Sequence, residues 1–215
     1  MSKWFCDECN FSSRKIFRIN NHKKIHKNNY YKYTKNWFLN SEIRNKLLNF
    51  LNNTHKNTIL EIGCYEGLSS VFFADNLLNN EQSHLTCVDP FLTIDNNDHE
   101  NLLNNNQENN FDYNIKKCKN SNKITVHKIT SDEFFKTNNK KFNFIYIDGS
   151  HECENIKRDM ENSFYYLLSN GIMWMDDYLG GDGIKIKKTM DDTLEKFKDK
   201  YKIIHKGYQL GIMKL

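Results

Sequence analysis

From residue 41 onward the chain switches repeatedly between two hydrophobic periods. Ile43, Leu47, Leu48 and Leu51 follow Ser41 at helical spacing, and a serine at that place suits the cap of a first turn. Short apolar or β-branched runs then recur at 58–62, 85–88, 123–126, 144–147 and 172–175, each the length of a strand. Between the last two, Ile156, Met160, Phe164, Leu167 and Leu168 recur at helical intervals, which predicts a helix laid on a sheet. A charged helix is expected after Asp191, then two closely spaced strands, 201–205 and 209–213, forming an antiparallel hairpin edge. Strands separated by helices pair in parallel through crossovers. The pattern therefore predicts an α/β fold: a Rossmann-like, mostly parallel sheet with an antiparallel last strand. The asparagine-rich stretch 95–110 is expected to be a mobile loop.

Composition narrows the class. No run of about 18 apolar residues occurs, so a membrane span is excluded. The 215 residues are 38% hydrophobic, enough for one domain with a small appendage. Met1-Ser2-Lys3-Trp4-Phe5-Cys6 has no apolar stretch before a cleavage site, so an intracellular protein, cytoplasmic or nuclear, is expected, with its six cysteines reduced. The abundance of Asn, Lys and Ile points to AT-rich coding, as in a large-genome virus or an AT-rich protist. Charge is uneven along the chain: residues 1–36 hold nine Lys/Arg against Asp7 and Glu8, net +7, leaving net −3 for the rest of a chain that totals +4.

That basic appendage contains Cys6-x2-Cys9-x12-His22-x3-His26. Two thiolates on a short knuckle and two histidines four apart on one helix face can meet at a single tetrahedral Zn²⁺. So polar a stretch cannot bury enough surface to fold without metal. Residues 4–27 resemble the C2H2 zinc-finger family, which implies a small ββα unit, and the expected division is 1–28 finger, 29–40 linker and 41–215 main domain. Ser13 stands where relatives carry an aromatic; Phe11 and Phe17 offer apolar bulk nearby. A single finger reads only about three base pairs. Its basic surface leaves two partner classes open, nucleic acid and protein.

The run 58–62 leads into Leu60-Glu61-Ile62-Gly63-Cys64-Tyr65-Glu66-Gly67-Leu68-Ser69-Ser70, and an acid, Asp89, closes the next strand 22 residues past Gly67. The two glycines let the backbone turn tightly from strand to helix and let a ligand approach the main chain. Glu-x-Gly-x-x-x-Gly with the later acid resembles motif I and its acidic partner in class I S-adenosylmethionine (SAM) methyltransferases. The resemblance implies that Glu61, Gly63, Tyr65, Glu66, Gly67 and Ser69 bind the cofactor and that Asp89 accepts its ribose hydroxyls.

A second block, Ile145-Tyr146-Ile147-Asp148-Gly149-Ser150-His151 and Met175-Asp176-Asp177-Tyr178, closes the fourth and fifth strands. With the glycine turn it resembles the small-molecule O-methyltransferases of the methyltransferase 24-like type, among them macrolide-sugar and catechol relatives, over residues 57–200. The resemblance adds Ser131 and Asp132 on the adenine side and Asp148 as a cofactor contact. Cys153 departs from it, since relatives place an aromatic there. Neighbouring strand ends open on one crevice, so Asp148, Asp176 and Asp177 should converge. Three carboxylates repel unless they share a cation, and oxygen-only ligands favour Mg²⁺ or a similar hard metal. Such an ion acidifies a bound hydroxyl, and His151 is placed to take its proton, with Asp148 beside it as the second catalytic candidate.

The expected activity is SAM-dependent, metal-assisted O-methylation of a small hydroxylated acceptor such as a sugar or glycan unit, with SAM, Zn²⁺ and Mg²⁺ as cofactors. Two alternatives stay open: a ribose or cap methyltransferase directed to nucleic acid by the finger, and a non-catalytic SAM-binding module. With Pro90 the only proline, the proline-containing motifs of base-modifying DNA methyltransferases are missing.

Overall fold

The computed structural model describes residues 4–5, 12–13, 30–92, 107–180 and 183–215. Near the amino terminus β1 (Trp4–Phe5) and β2 (Ser12–Ser13) pair antiparallel, Trp4 opposite Ser13 and Phe5 opposite Ser12. Cys6, Cys9, His22 and His26 lie outside the described residues. Among the described residues no helix is long and apolar enough to cross a membrane.

The main sheet has seven strands: β3 (Thr58–Ile62), β4 (His84–Val88), β5 (Ile124–His127), β6 (Phe142–Ile147), β7 (Leu167–Met175), β8 (Tyr201–Lys206) and β9 (Leu210–Lys214). Their order is β5-β4-β3-β6-β7-β9-β8. The first five are parallel, and β9 runs antiparallel to both β7 and β8. The chain winds from β3 outward to β5, then returns to β6 and winds the other way. The order therefore reverses between β3 and β6, where an open α/β sheet forms its ligand crevice. The last strand lies inside the sheet because Leu210, Gly211 and Ile212 are buried. The lysine-bearing β8 takes the edge, where charge guards the unpaired backbone.

Helices α1 (Glu42–Lys46), α2 (Leu68–Leu77), α3 (Gln107–Lys117), α4 (Ser131–Thr137), α5 (Cys153–Tyr166) and α6 (Gly183–Glu195) cover the two faces. Alternation along the strands divides the core. Leu60, Ile145 and Met173 pack with Met160 and Phe164 of α5 and Met190 of α6, while Ile59, Phe144 and Trp174 pack with Ile43 of α1 and Phe73 and Leu77 of α2.

Four local expectations are corrected. Leu167 and Leu168 open β7 instead of ending α5: Leu167 is extended (φ −74°, ψ 133°) and pairs with Phe142, while Leu168 is exposed. Helical spacing continued by chance past the last turn. The charged helix begins at Gly183, eight residues before Asp191, because Ile186, Met190 and Leu194 form its buried stripe. Residues 107–110 belong to α3, anchored by buried Phe111, Asn114 and Ile115; residues 95–106 of the expected loop are outside the described residues. The Ser41 hydroxyl donates back to the Phe38 carbonyl (2.8 Å) and does not cap α1. The Ile43 amide at that helix start donates to the side-chain oxygen of Gln209 instead (2.7 Å).

Candidate functional site

The turn after β3 and the turn after β6 meet at the reversal point. Gly63 has φ +82°, and a Cβ there would collide with the Asp148 carbonyl. Its missing side chain is thus needed for the close passage of two backbone segments, a constraint internal to the protein. Gly67 (φ +81°) precedes α2, where a Cβ would press on the Phe111 ring at 3.0 Å. Tyr65 lies between the glycines with φ +48°, a left-handed conformation unfavourable to a non-glycine residue by about 1–2 kcal/mol.

Three acids hold this turn. Asp89 accepts the Cys64 and Tyr65 amides at 2.7 and 3.0 Å on one oxygen and the Phe91 amide at 2.7 Å on the other. A carboxylate offers about four lone-pair sites, so about one remains for an outside donor. Glu61 is fully buried beneath the turn, accepting from the Ser69 hydroxyl and, at 3.6 Å, from the Cys87 thiol. Burial pushes its carboxyl up to about 7. Glu66, also buried, accepts from the Thr34 amide, the Thr34 hydroxyl (3.0 Å) and Asn110 (2.8 Å). Glu61 and Glu66 thereby anchor the turn from below and from the side.

Ser131 and Asp132 begin α4, whose capping box joins Thr130 and Glu133. Asp132 pairs with Arg158 of α5 at 3.0 Å, and the Ser131 hydroxyl serves buried Asp159, whose carboxyl burial raises to about 6.

Beyond β6 and β7, oxygens of Asp148, Asp176 and Asp177 all lie within 4.8 Å of one another, and the three residues are half-buried. The Tyr146 hydroxyl reaches Asp148 at 3.0 Å and Asp176 at 3.1 Å. Burial first, then the charges of Asp176 and Asp177, hold the Asp148 carboxyl well above the usual carboxylate range; burial and Asp177 raise Asp176 likewise. Asp177, in a left-handed backbone conformation (φ +56°), is instead lowered by its hydrogen bond from His151, whose Nε2 is 2.8 Å away. Asp177 also accepts from the Tyr208 hydroxyl at 2.5 Å, and Asp176 from the Gln209 amide at 2.8 Å. Among the described residues no lysine or arginine forms an ion pair with these three carboxylates. A concave group of oxygen ligands lacking a protein cation can bind a hard divalent ion.

The sequence-predicted acids and His151 are therefore brought together, and the glycine turn lies beside them through the contact of Gly63 with Asp148. Ser131 and Asp132, at the start of α4, are engaged with Asp159 and Arg158 of α5. Sequence reading missed Tyr146, Tyr208 and Gln209. Tyr146 was within reach of it, because a residue two before Asp148 on a strand shares its face. Tyr208 and Gln209 gave no local signal, since they enter the site from a turn about thirty residues downstream of the acids.

Residues 60–178, more than half of the chain, match a family described as a methyltransferase domain. No curated protein matches the chain. Among solved structures, an O-methyltransferase from Bacillus cereus in complex with SAH is similar at TM-score 0.58 and 12% identity, covering 93% of this chain and 89% of that one. The O-methyltransferase TomG from Streptomyces achromogenes, involved in tomaymycin synthesis and in complex with SAM, is similar at TM-score 0.59 and 9% identity, covering 90% and 85%. A provisional rRNA methylase from Clostridium thermocellum is similar at TM-score 0.62 and 14% identity, covering 86% and 98%. At such identities the likeness is one of fold.

Proposed function

The chain belongs to this methyltransferase domain family, and from that premise we propose that it is a SAM-dependent, divalent-metal-assisted O-methyltransferase acting on a small hydroxylated acceptor such as a sugar or glycan unit. The observation that carries the reading is the carboxylate cluster Asp148, Asp176 and Asp177, set beside the glycine turn where the strand order reverses. SAM supplies an electrophilic methyl: its S–C bond breaks as the acceptor's O–C bond forms, leaving S-adenosylhomocysteine and a proton. The remaining acceptor capacity of Asp89 suits a ribose hydroxyl, and Gly63, by letting the turn pass close against the Asp148 backbone, sets that acid beside it.

The donor set fits a hard cation, being made of oxygens, half-buried and mutually repelling. Asp148, Asp176 and Asp177 would hold it, and its Lewis acidity would lower the pKa of the acceptor hydroxyl. A neutral His151 that donates Nε2–H to Asp177 takes the acceptor's proton at Nδ1. In the amino-terminal region, Cys6, Cys9, His22 and His26 bind one Zn²⁺. The support is their spacing, together with the antiparallel pairing of Trp4–Phe5 with Ser12–Ser13, between which both cysteines fall in sequence.

Calorimetry with S-adenosylhomocysteine and turnover with labelled SAM test the proposal together. SAH should bind with micromolar affinity whether or not EDTA is present; EDTA should abolish turnover, and Mg²⁺ should restore it. Absence of SAH binding by the folded chain overturns the enzyme reading, whereas full turnover in EDTA removes only the metal. A second reading, ribose or cap methylation, draws on the net charge of +7 over residues 1–36. Screening sugars beside RNA as acceptors separates the two.

A further inference from the structure

The turn joining β8 to β9 sends two consecutive side chains into the acid cluster, Tyr208 to Asp177 and Gln209 to Asp176. Gln209 is completely buried. Its Oε1 accepts the Ile43 amide at 2.7 Å and the Trp174 indole N–H at 3.0 Å. Both partners can only donate, so the side chain cannot be flipped, and Nε2 must face Asp176 Oδ1, 2.8 Å away. The backbone is held as firmly, because the Gln209 amide donates to Glu42 at 2.9 Å, and the same carboxylate engages His205.

The consequence falls on Asp176. Its Oδ1 accepts both from Gln209 and from the Asp177 amide (2.9 Å), which occupies the two lone pairs of that oxygen. Among the described residues its Oδ2 accepts only the hydroxyl of Tyr146, which is shared with Asp148. Asp176 therefore has one lone pair left to offer, on Oδ2. Asp148 is restrained differently, its carboxylate being met by Tyr146 alone among the side-chain donors described.

We propose that Gln209 is a positioning residue for the metal site: by occupying Asp176 Oδ1 it presents Oδ2 to the cation and ties the cluster to α1 and Trp174. The role rests on the metal-assisted reading above. It requires no contact between Gln209 and the ion, and it gives a reason for an uncharged amide buried against Asp176. A glutamate of the same shape can still accept from Ile43 and Trp174, but its second oxygen then faces Asp176 and repels it.

Binding of Mn²⁺, followed by its EPR signal in the full chain, tests the role directly. Wild type should bind one Mn²⁺ at the cluster. Gln209→Glu should weaken that binding by about tenfold or more while SAH affinity changes by less than about twofold, a split that general loosening of the fold would not give. Unchanged or tighter Mn²⁺ binding by Gln209→Glu overturns the proposal, tighter binding meaning that the new carboxylate has become a ligand. If near-UV circular dichroism finds Gln209→Glu unfolded, Trp174→Phe decides: it deletes one of the two donors that orient the amide and should weaken Mn²⁺ a few-fold, and wild-type affinity there overturns the proposal. Wild type that binds no Mn²⁺ removes the metal reading itself, and the positioning role with it.

Discussion

Glu61 lies near the end of β3 with its carboxyl sealed under the glycine turn, where burial outweighs the donors Ser69 and Cys87 and moves its pKa from 4.5 to about 7. Between those values the folded chain keeps a proton that the unfolded chain has lost, so stability falls as pH rises through this window. The full effect is on the order of 3 kcal/mol, present below about pH 4.5 and lost by about pH 7. Glu61→Gln keeps the shape without the titration. Urea unfolding near pH 5 and near pH 7.5 should therefore show wild type losing stability relative to the variant; parallel profiles would mean that Glu61 stays ionised throughout. At this scale the sequence was legible where chemistry is tied to a strand end. Asp89, Asp148, Asp176 and Asp177 could be placed at the crevice because each follows an apolar run. Glu61 and Glu66 were legible as motif residues but not as buried anchors, since burial depends on α2, α3 and residues 30–34 closing around them.

The segment before α1 shows how elements share the work of the site. Residues 30–34 read as a linker, yet Lys32 exchanges hydrogen bonds with Asn114 of α3 at 2.7 Å in both directions, and Thr34 meets Glu66 with both its amide and its hydroxyl. The Thr34 hydroxyl also lies 3.2 Å from the Tyr65 hydroxyl, and the Trp37 ring packs on Tyr65 at 5.3 Å. These contacts hold Tyr65 in the left-handed conformation that the turn requires. Thr34→Val should accordingly lower SAH affinity by about three- to tenfold while costing only about 1 kcal/mol of stability, and Thr34→Ser should restore binding. Equal SAH affinity in Thr34→Val would leave the segment a passive cover. Helical and strand periods located all seven sheet strands to within a few residues, because half-buried faces repeat at fixed intervals. Boundaries failed where tertiary contacts decide them: α5 stops at Tyr166 although Leu167 and Leu168 keep its period, because Leu167 pairs with β6.

Across the whole molecule, charge and chemistry divide between two ends of the chain. The sheet domain carries the crevice and a net negative charge, while residues 1–36 carry +7 and the two cysteines and two histidines of the proposed zinc site. The hard-oxygen cluster and the proposed thiolate–imidazole site select different metals, so each can be emptied without emptying the other. Elemental analysis of the purified chain should find about one zinc, and Cys6→Ser or His22→Ala should lose it, because three remaining ligands bind a structural Zn²⁺ far more weakly than four. SAH affinity should stay within about twofold in both variants, as the crevice draws on residues from Thr34 onward. Among the described residues a second sulfur-containing group exists, Glu61, Cys64 and Cys87, whose ligand atoms lie within 4.8 Å of one another in the core. Burial raises both of its thiols, which opposes the thiolate form that zinc requires. Zinc that persisted in both amino-terminal variants and vanished in Cys87→Ser would therefore transfer the metal from the amino-terminal unit to the core beneath the glycine turn, and with it the case for a zinc finger would fall.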